Sequence, residues 1–259
     1  ALYSPHVMAF TEEVTADNSP VTDELVENGY QYIRDKGKTD NITVGVGGVQ
    51  IVYPEGTANG TVIKEGGEQI VKFKGTATGT RIEKGGILNV ESGGEATGVE
   101  QQEGAALIAT TGTGTVIDGT NALGKPFSIK DGQAENVLLE NGGQLFVMRD
   151  TTADHTTIRD GGRLVSEGTV SGTTIEGGKL DSSGTAEDTI IKQGGLMRNT
   201  GEDSGTTVKS GGVYELGRYN AGSSDNPDYQ YYGLSSASDL KVEAGGRATV
   251  YAGTLTGAT

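Results

Sequence analysis

The chain has 259 residues with no cysteine, and its 20 Lys and Arg against 35 Asp and Glu give a formal net charge of -15. That charge excludes a surface built to neutralise nucleic-acid phosphates, and the lack of thiols excludes disulfide frameworks, zinc-thiolate sites and cysteine nucleophiles. Glycine accounts for 44 residues, more than twice its usual share of about 7%, while 33% of the chain is hydrophobic. Such a composition suits either a disordered chain or a small repeat that stacks.

The first part of the chain, residues 1–39, shows no obvious repeat. It contains Phe10, Leu25, Tyr30, Tyr32 and Ile33. Because the end of a stacked β-structure exposes unpaired strand edges, we interpret 1–39 as an N-terminal cap or lead-in.

The rest of the chain, residues 40–259, is periodic. A series of Gly-Gly doublets begins at 47, 66, 85, 142, 161, 177, 194, 211 and 245, with a spacing of 19 residues or its multiple that later tightens to 16 and 17. A fixed period of this length is typical of a solenoid, and it is too short for a propeller blade of about 40 residues. The spacing therefore favours a stacked repeat over disorder.

Within each repeat the hydrophobic residues alternate with polar ones, as in strands. Three positions stay apolar from repeat to repeat: Ile63, Ile82, Leu139, Ile158, Ile191, Val208 and Val242; Val52, Val71, Val90, Val147, Leu216 and Val250; and Leu88, Leu107, Leu145, Leu164, Leu180, Met197 and Tyr214. Glycines would form the corners between strands, since they reach positive φ without strain. The pattern predicts an all-β fold, a right-handed parallel β-helix of about 12 coils with 17–19-residue repeats.

A polar ladder precedes the isoleucine column. Its members are Thr57, Asn59, Thr61, Thr76, Thr78, Thr80, Thr152, Asp154 and Thr156. If they alternate with inward residues such as Ala58 and Ala77, they line one outer face, which we predict as a self-association face. The alternative, that threonine is there for its β-propensity, stays open.

A second candidate site lies at about 215–236, where the doublet spacing doubles. The turn-forming run 220–228 predicts a projecting loop or hairpin. Its candidate ligand-binding residues are Tyr219, Asp225, Asn226, Asp228, Tyr229 and Tyr231, because exposed tyrosines stack on sugars or anchor protein partners. The alternative is an insertion that packs its tyrosines against the rod.

Two stretches resemble a known family. Residues 75–86 read GTATGTRIEKGG, and residues 127–143 read FSIKDGQAENVLLENGG. They are similar to the passenger repeats of self-associating autotransporter adhesins, the group of Antigen 43 and the AIDA-type adhesins.

The resemblance implies a passenger at the cell surface, secreted and anchored in the outer membrane by a C-terminal translocator barrel that this chain does not contain. It further implies homotypic pairing with identical copies on neighbouring cells, in antiparallel fashion, and hence bacterial aggregation, biofilm formation and a part in virulence. Binding of host-cell glycans or extracellular proteins is the alternative function. No enzymatic activity, cofactor or metal is expected.

A distant alternative is a polysaccharide-degrading β-helix enzyme. The best catalytic cluster in the sequence is Arg149, Asp150, Asp154, His155, Arg159 and Asp160. These residues occupy ordinary repeat positions, and neighbouring coils supply no matching acids, so catalysis is the weakest of the three interpretations.

Overall fold

A computed structural model describes residues 10–219, 230–231 and 233–259. Three strands recur in each turn of the chain and stack on the equivalent strands before and after, so the predicted parallel β-helix of about 12 coils is confirmed. We number the coils 1 to 12 by their strand in the first sheet.

Sheet 1 holds the longest regular strands, one per coil. They are Phe10–Val14, Gly29–Ile33, Gly48–Val52, Glu68–Val71, Ile87–Val90, Ala106–Thr110, Gln144–Val147, Arg163–Ser166, Lys179–Ser182, Leu196–Asn199, Val213–Leu216 and Arg247–Val250. All pair in parallel with their neighbours.

Sheet 2 follows sheet 1 around each coil. Its strands are Val21–Thr22, Lys38–Asp40, Thr57–Asn59, Thr76–Thr78, Glu95–Gln101, Val116–Thr120, Pro126–Lys130, Gln133–Glu135, Thr152–Asp154, Thr169–Ser171, Thr185–Glu187, Glu202–Ser204, Ser236–Ser238 and Thr254–Thr256. A short 3-10 helix, Ala16–Asn18, fills the turn of coil 1.

Sheet 3 closes the coil with two-residue strands. They are Leu25–Val26, Thr43–Val44, Val62–Ile63 and Arg81–Ile82, then Leu138–Leu139, Thr157–Ile158, Thr174–Ile175, Ile190–Ile191, Thr207–Val208 and Lys241–Val242. The first four belong with sheet 2 to one 18-stranded sheet, because Glu95–Gln101 runs through both, and the last six form a separate sheet.

The two glycines of a doublet serve different purposes, as Gly85 and Gly86 show. Gly85 has φ +80°, a conformation that side chains with a Cβ adopt only at a cost. A Cβ on Gly86 would lie 2.7 Å from the carbonyl oxygen of Ile63 in the coil before it. The first glycine turns the chain, and the second lets successive coils approach closely enough to pair.

The predicted apolar columns form the core. Ile63, Ile82, Leu88 and Val71 are fully buried, as are their counterparts through Leu216. In coil 12 the column residue Val250 is 47% exposed, since no described coil covers it. Burial of one small set of side chains per coil, repeated along the axis, compensates for the low hydrophobic content.

Residues 10–39 belong to the stack, which corrects the expected boundary at 39. Phe10 pairs with Gly29, and Gly29 pairs with Gly48, at the regular offset of 19. The repeat was missed because Asn28-Gly29 replaces the doublet: Asn28 takes the positive φ of 49°, which asparagine tolerates better than most residues. Residues 1–9 lie outside the described ranges, so a capping role for them stays a prediction.

Coil 6 contains one strand that runs backwards. Pro126–Lys130 pairs antiparallel with Val116–Thr120 and with Gln133–Glu135, across a tight turn at Asp131 and Gly132, both of positive φ. Aspartate followed by glycine is a preferred sequence for such a hairpin turn. The FSIKDGQAEN stretch that suggested the family is therefore the element that adds two extra strands to sheet 2.

The repeat shortens in coils 8 to 10 at the turn from sheet 1 to sheet 2. Coil 7 uses four residues there, 148–151, whereas coil 8 uses two, 167–168. The Val column changes to Ser166 and Asn199, whose side chains accept hydrogen bonds from the backbone N–H groups of Gly168 (3.2 Å) and Gly201 (2.9 Å). A polar side chain that caps the turn thus replaces the apolar one where the turn is short.

A buried ladder of three glutamines runs along the axis in coils 2 to 4. The Nε2 of Gln69 donates to Oε1 of Gln50 (2.7 Å), and that of Gln50 donates to Oε1 of Gln31 (2.9 Å). The ladder ends on Glu12, which accepts from Gln31 at 2.8 Å. Burial and the neighbouring Glu12 raise the pKa of Glu24 to about 7.

Gln50→Met should destabilise the N-terminal coils. The change leaves the Nε2 of Gln69 and the hydroxyl of Thr61 without the oxygen that they contact at 2.7 and 2.9 Å. At roughly 1–3 kcal/mol per unsatisfied buried group, we expect a loss of about 2–4 kcal/mol in the free energy of unfolding. Urea unfolding with hydrogen exchange measures the loss and locates it in coils 2 to 4. Gln144→Met, on the half-exposed outer side of sheet 1, is the matched control, and equal losses in the two variants would contradict the ladder's contribution.

Candidate self-association face

Six of the nine residues predicted for the polar face point outward from sheet 2. Thr57, Thr76 and Thr152 form one column, and Asn59, Thr78 and Asp154 form the next; all six are half-buried. We refer to these two columns as the polar face.

The other three, Thr61, Thr80 and Thr156, point into the core, which corrects the prediction. They are 0%, 0% and 1% exposed. The residue before each has positive φ, 67° at Gly60, 64° at Gly79 and 57° at His155, and this corner reverses the alternation of sides.

The corner position has a recurring residue type in the sequence. The same position carries Asn41, Gly60, Gly79, Gly98, Asn136, His155, Gly172, Asp188, Gly205 and Asp239, all with positive φ. Most are the residue types that favour the left-handed region. Inside the coil, Thr61 and Thr80 donate to the glutamine ladder at 2.9 and 2.8 Å.

The structure places the six outward residues in two groups. Thr57 pairs with Thr76, and Asn59 pairs with Thr78, on adjacent strands of coils 3 and 4. Thr152 and Asp154 lie five strands further along sheet 2, roughly 24 Å away at the usual strand spacing. The polar face is thus not one continuous patch of candidates.

Side chains of the column that contains Asn59 and Thr78 hydrogen-bond from coil to coil. Asn59 donates to Asp40 (3.1 Å), and the hydroxyl of Thr78 donates to Asn59 (2.5 Å). Near the second group, Nδ1 of His155 lies 2.9 Å from the carboxylate of Glu135. These bonds fix side-chain orientations and so present an ordered array at low entropic cost to a partner.

Formal charge divides the polar face. In coils 3 and 4 the outward residues Thr57, Asn59, Thr76 and Thr78 are neutral. The strands that follow add carboxylates at Glu95, Asp118, Glu135, Asp154, Glu187 and Glu202. Two copies meeting at coils 3 and 4 would therefore place none of the charges of these two strands against each other, although each chain has a net charge of -15.

The edge after sheet 3 carries a charge ladder along the chain. Lys64 lies 3.8 Å from Glu83, and Arg159 lies 3.6 Å from the buried Glu140, each pair one coil apart. Arg159 also contacts Glu176 at 3.2 Å. These charges are paired within the molecule.

The expected projecting segment begins with a short antiparallel pair. Arg218 pairs with Tyr231, and Tyr219 pairs with Gln230. The candidates Asp225, Asn226, Asp228 and Tyr229 lie outside the described residues. Their role in ligand binding therefore stays a prediction.

The residues considered for catalysis are spread around the coil. Arg149 and Asp150 lie in the turn after sheet 1, His155 at the corner between sheets 2 and 3, and Arg159 with Asp160 at the edge after sheet 3. Within the described ranges no group of three or more His, Asp and Glu is arranged to hold a metal ion.

Sequence reasoning missed a buried acid in coil 10. Asp203 is 5% exposed and stands in a column between Ala186 and Ala237. Burial raises its pKa to about 6, against hydrogen bonds from Thr206 (2.7 Å) and Tyr214 that lower it. Burial also raises the pKa of the Tyr214 phenol well above its usual range.

A parallel β-helix with polar outer columns is the architecture of an extended stalk that displays surfaces along its length. Among known families, the chain matches one described as "Adhesin of bacterial autotransporter system, probable stalk" over residues 25–86, 54–105 and 118–179, more than half of its length. The chain belongs to this family of autotransporter adhesins, as the resemblance in its repeats implied. The match begins at residue 25, within the segment 1–39 that was expected to form an N-terminal cap.

One similar protein is the probable autotransporter YpjA of Escherichia coli (strain K12). The two are 47% identical over 76 residues, which cover 29% of this chain and 5% of YpjA, so the chain matches a small part of that relative. A crystal structure of a TibC-catalyzed hyper-glycosylated TibA fragment aligns with a TM-score of 0.48 and 21% identity, over 95% of this chain and 96% of that one. Across the described residues there is no helix with the length and apolar content needed to cross a bilayer.

Asp203→Asn should remove part of the pH dependence of stability. A carboxyl whose pKa rises from 3.8 in the unfolded chain to about 6 in the folded one stabilises the fold fully below pH 3.8, and the effect is lost as the pH rises through about 6. A shift of this size corresponds to roughly 3 kcal/mol. Urea unfolding at about pH 4 and pH 7 should show the variant gaining about 2–3 kcal/mol on the wild type at the higher pH.

The raised pKa of Glu24 is present in both proteins and cancels in this comparison. A stability difference between variant and wild type that is the same at both pH values would contradict the assignment to Asp203.

Proposed function

We propose that this passenger mediates homotypic self-association of the cells that display it, through the polar face of coils 3 and 4. The observation that carries the proposal is the neutral patch of Thr57, Asn59, Thr76 and Thr78 on a chain of net charge -15. Hydroxyl and amide groups both donate and accept, so identical patches complement each other without opposite charges.

An antiparallel arrangement brings the same patch of each copy against the other. A two-fold contact of this kind uses one surface twice, and it suits stalks that project from facing cells. Thr78 of one copy then faces the Asn59 and Thr78 region of its partner, and the ordered hydrogen bonds along the column limit the entropy lost on contact.

Each contact is weak, since exposed polar pairs contribute about 0–1 kcal/mol. Many copies on two surfaces bind together, and multivalency converts weak contacts into stable adhesion. Bacterial aggregation, biofilm formation and a contribution to virulence follow from such adhesion. The passenger works at the cell surface, held to the outer membrane by a translocator.

The double variant Asn59→Gly and Thr78→Gly should abolish settling of cells that display the passenger. It removes two of the side chains that the proposed contact of coils 3 and 4 uses. The measurement is the settling rate of displaying cells, alone and mixed with cells that lack the passenger. Homotypic pairing excludes the bare cells from the aggregates, whereas adhesion to another ligand captures them.

The matched control replaces Thr157 and Thr174 by glycine on the outer side of sheet 3. They are half-buried strand residues, as Asn59 and Thr78 are, so glycine should lower the stability of the strands by a similar amount. Settling that survives in the polar-face variant, or is lost equally in the control, would refute the proposed face.

Salt should speed the settling of displaying cells. Raising the ionic strength from about 0.01 M to 0.1 M shortens the Debye length from about 30 Å to 10 Å, which screens the repulsion between chains of charge -15. A neutral contact loses little by screening. Settling rates in a salt series test this, and a steady decrease with salt would indicate instead that opposite charges hold the copies together.

A further inference from the structure

A groove crosses coils 8 to 10 on the side of the turn between sheets 1 and 2. The turns of these coils have two residues, against four in coil 7, and Arg218 of the antiparallel pair that leaves coil 11 also lines the groove. The enclosed volume is about 360 Å³, within the range of small-ligand sites.

The groove has a floor of alternating acids and bases. Nε of Arg163 donates to Asp181 at 3.0 Å, Arg198 lies 3.9 Å from Asp181, and Nε of Arg198 donates to Glu215 at 3.3 Å. Arg218 adds a contact to Glu215 at 3.7 Å. Each charged group is held in place by its neighbours, so the array is ordered before a ligand arrives.

Hydroxyl groups line the rest of the groove. Ser183 and Thr200, at the two-residue turns, are accessible to a ligand. Ser182 lies beneath them at 2% exposure, with its side chain on the inward side of the strand.

The charge of the groove selects the class of ligand. Each of the three lining arginines already contacts a carboxylate: Arg163 contacts Asp181, and Arg198 and Arg218 contact Glu215 beside the groove. Their charges are therefore compensated within the molecule and do not favour a polyanion. The turn backbones beneath it are already bonded to adjacent coils, for example Ser183 N to Ser166 O at 2.9 Å, which leaves little for an added peptide strand.

A saccharide fits this lining. Each sugar hydroxyl donates and accepts at once, which matches guanidinium donors that alternate with carboxylate acceptors at about one-coil spacing. We propose that the groove bounded by Arg163, Asp181, Ser183 and Arg198 binds a neutral oligosaccharide, two to three units of which lie along coils 8 to 10. This site is on a different side of the coil from the polar face, and it gives the passenger a ligand besides its own copies.

The test uses the whole chain with cellotriose, maltotriose and globotriose as neutral probes and sialyllactose as the acidic probe. Binding is measured by saturation-transfer NMR and calorimetry. Arg163→Met removes a donor from the floor but keeps the stem, and Ser183→Trp fills the groove without touching the charge ladder. Arg81→Met is the matched control, because Arg81 has similar exposure and pairs with Glu83 on sheet 3, outside the groove.

We expect at least one neutral trisaccharide to bind. Arg163→Met and Ser183→Trp should each weaken it about tenfold or more, the value of one charge-assisted hydrogen bond, while Arg81→Met leaves it unchanged. Should Arg163→Met unfold, Ser183→Trp decides alone, since the residue is exposed. Failure of all three neutral probes, binding that persists in Ser183→Trp, or binding of sialyllactose alone would overturn the proposal. Cell settling does not enter these outcomes, so they are independent of self-association.

Discussion

Neighbouring coils of this protein hydrogen-bond to each other through their backbones. The offset in sheet 1 is 16 to 19 residues, as in the pairing of Phe10 with Gly29 and of Gly29 with Gly48, except after coils 6 and 11, where inserted residues raise it to 36 and 34. At a strand spacing of about 4.8 Å, a Cβ at the second glycine of most doublets would lie within 3 Å of the coil before, as at Gly48, Gly67 and Gly86. A thin core suffices because each coil needs to bury only a few side chains against its neighbours.

The same constraint makes the surface a set of columns. A residue type that recurs once per repeat forms a line of side chains along the rod. Examples are the neutral Thr57 and Thr76 and the ion pair of Arg159 with Glu176. Local departures from the repeat then create distinct places on an otherwise uniform stalk. The short turns of coils 8 to 10 open a groove, and the reversed strand Pro126–Lys130 separates the two halves of the polar face.

Polar side chains inside the stack need hydrogen-bond partners within the molecule. Three glutamines satisfy one another because each sits one coil above the next, and the ladder needs Glu12 to accept its last amide. Asp203 has no such ladder, and Thr206 and Tyr214 bond it instead, which leaves its pKa raised to about 6. An inward polar residue is therefore tolerated where it repeats or where side chains from the same region bond it.

The spacing of the glycine doublets and the apolar columns predicted the fold from sequence alone. A positive φ or a close coil contact calls for glycine, and a core position calls for an apolar side chain, so the residue type itself carries the information. The family followed from the same repeats and from residues 127–143. Sequence did not show that residues 10–39 are stacked, since Asn28 takes the place of a glycine. Tertiary structure decided which threonines face outward, because one backbone angle at Gly60, Gly79 or His155 sends the next side chain to the opposite side. Only the tertiary structure shows the groove, because its lining residues and charges come from positions one or more coils apart in the chain.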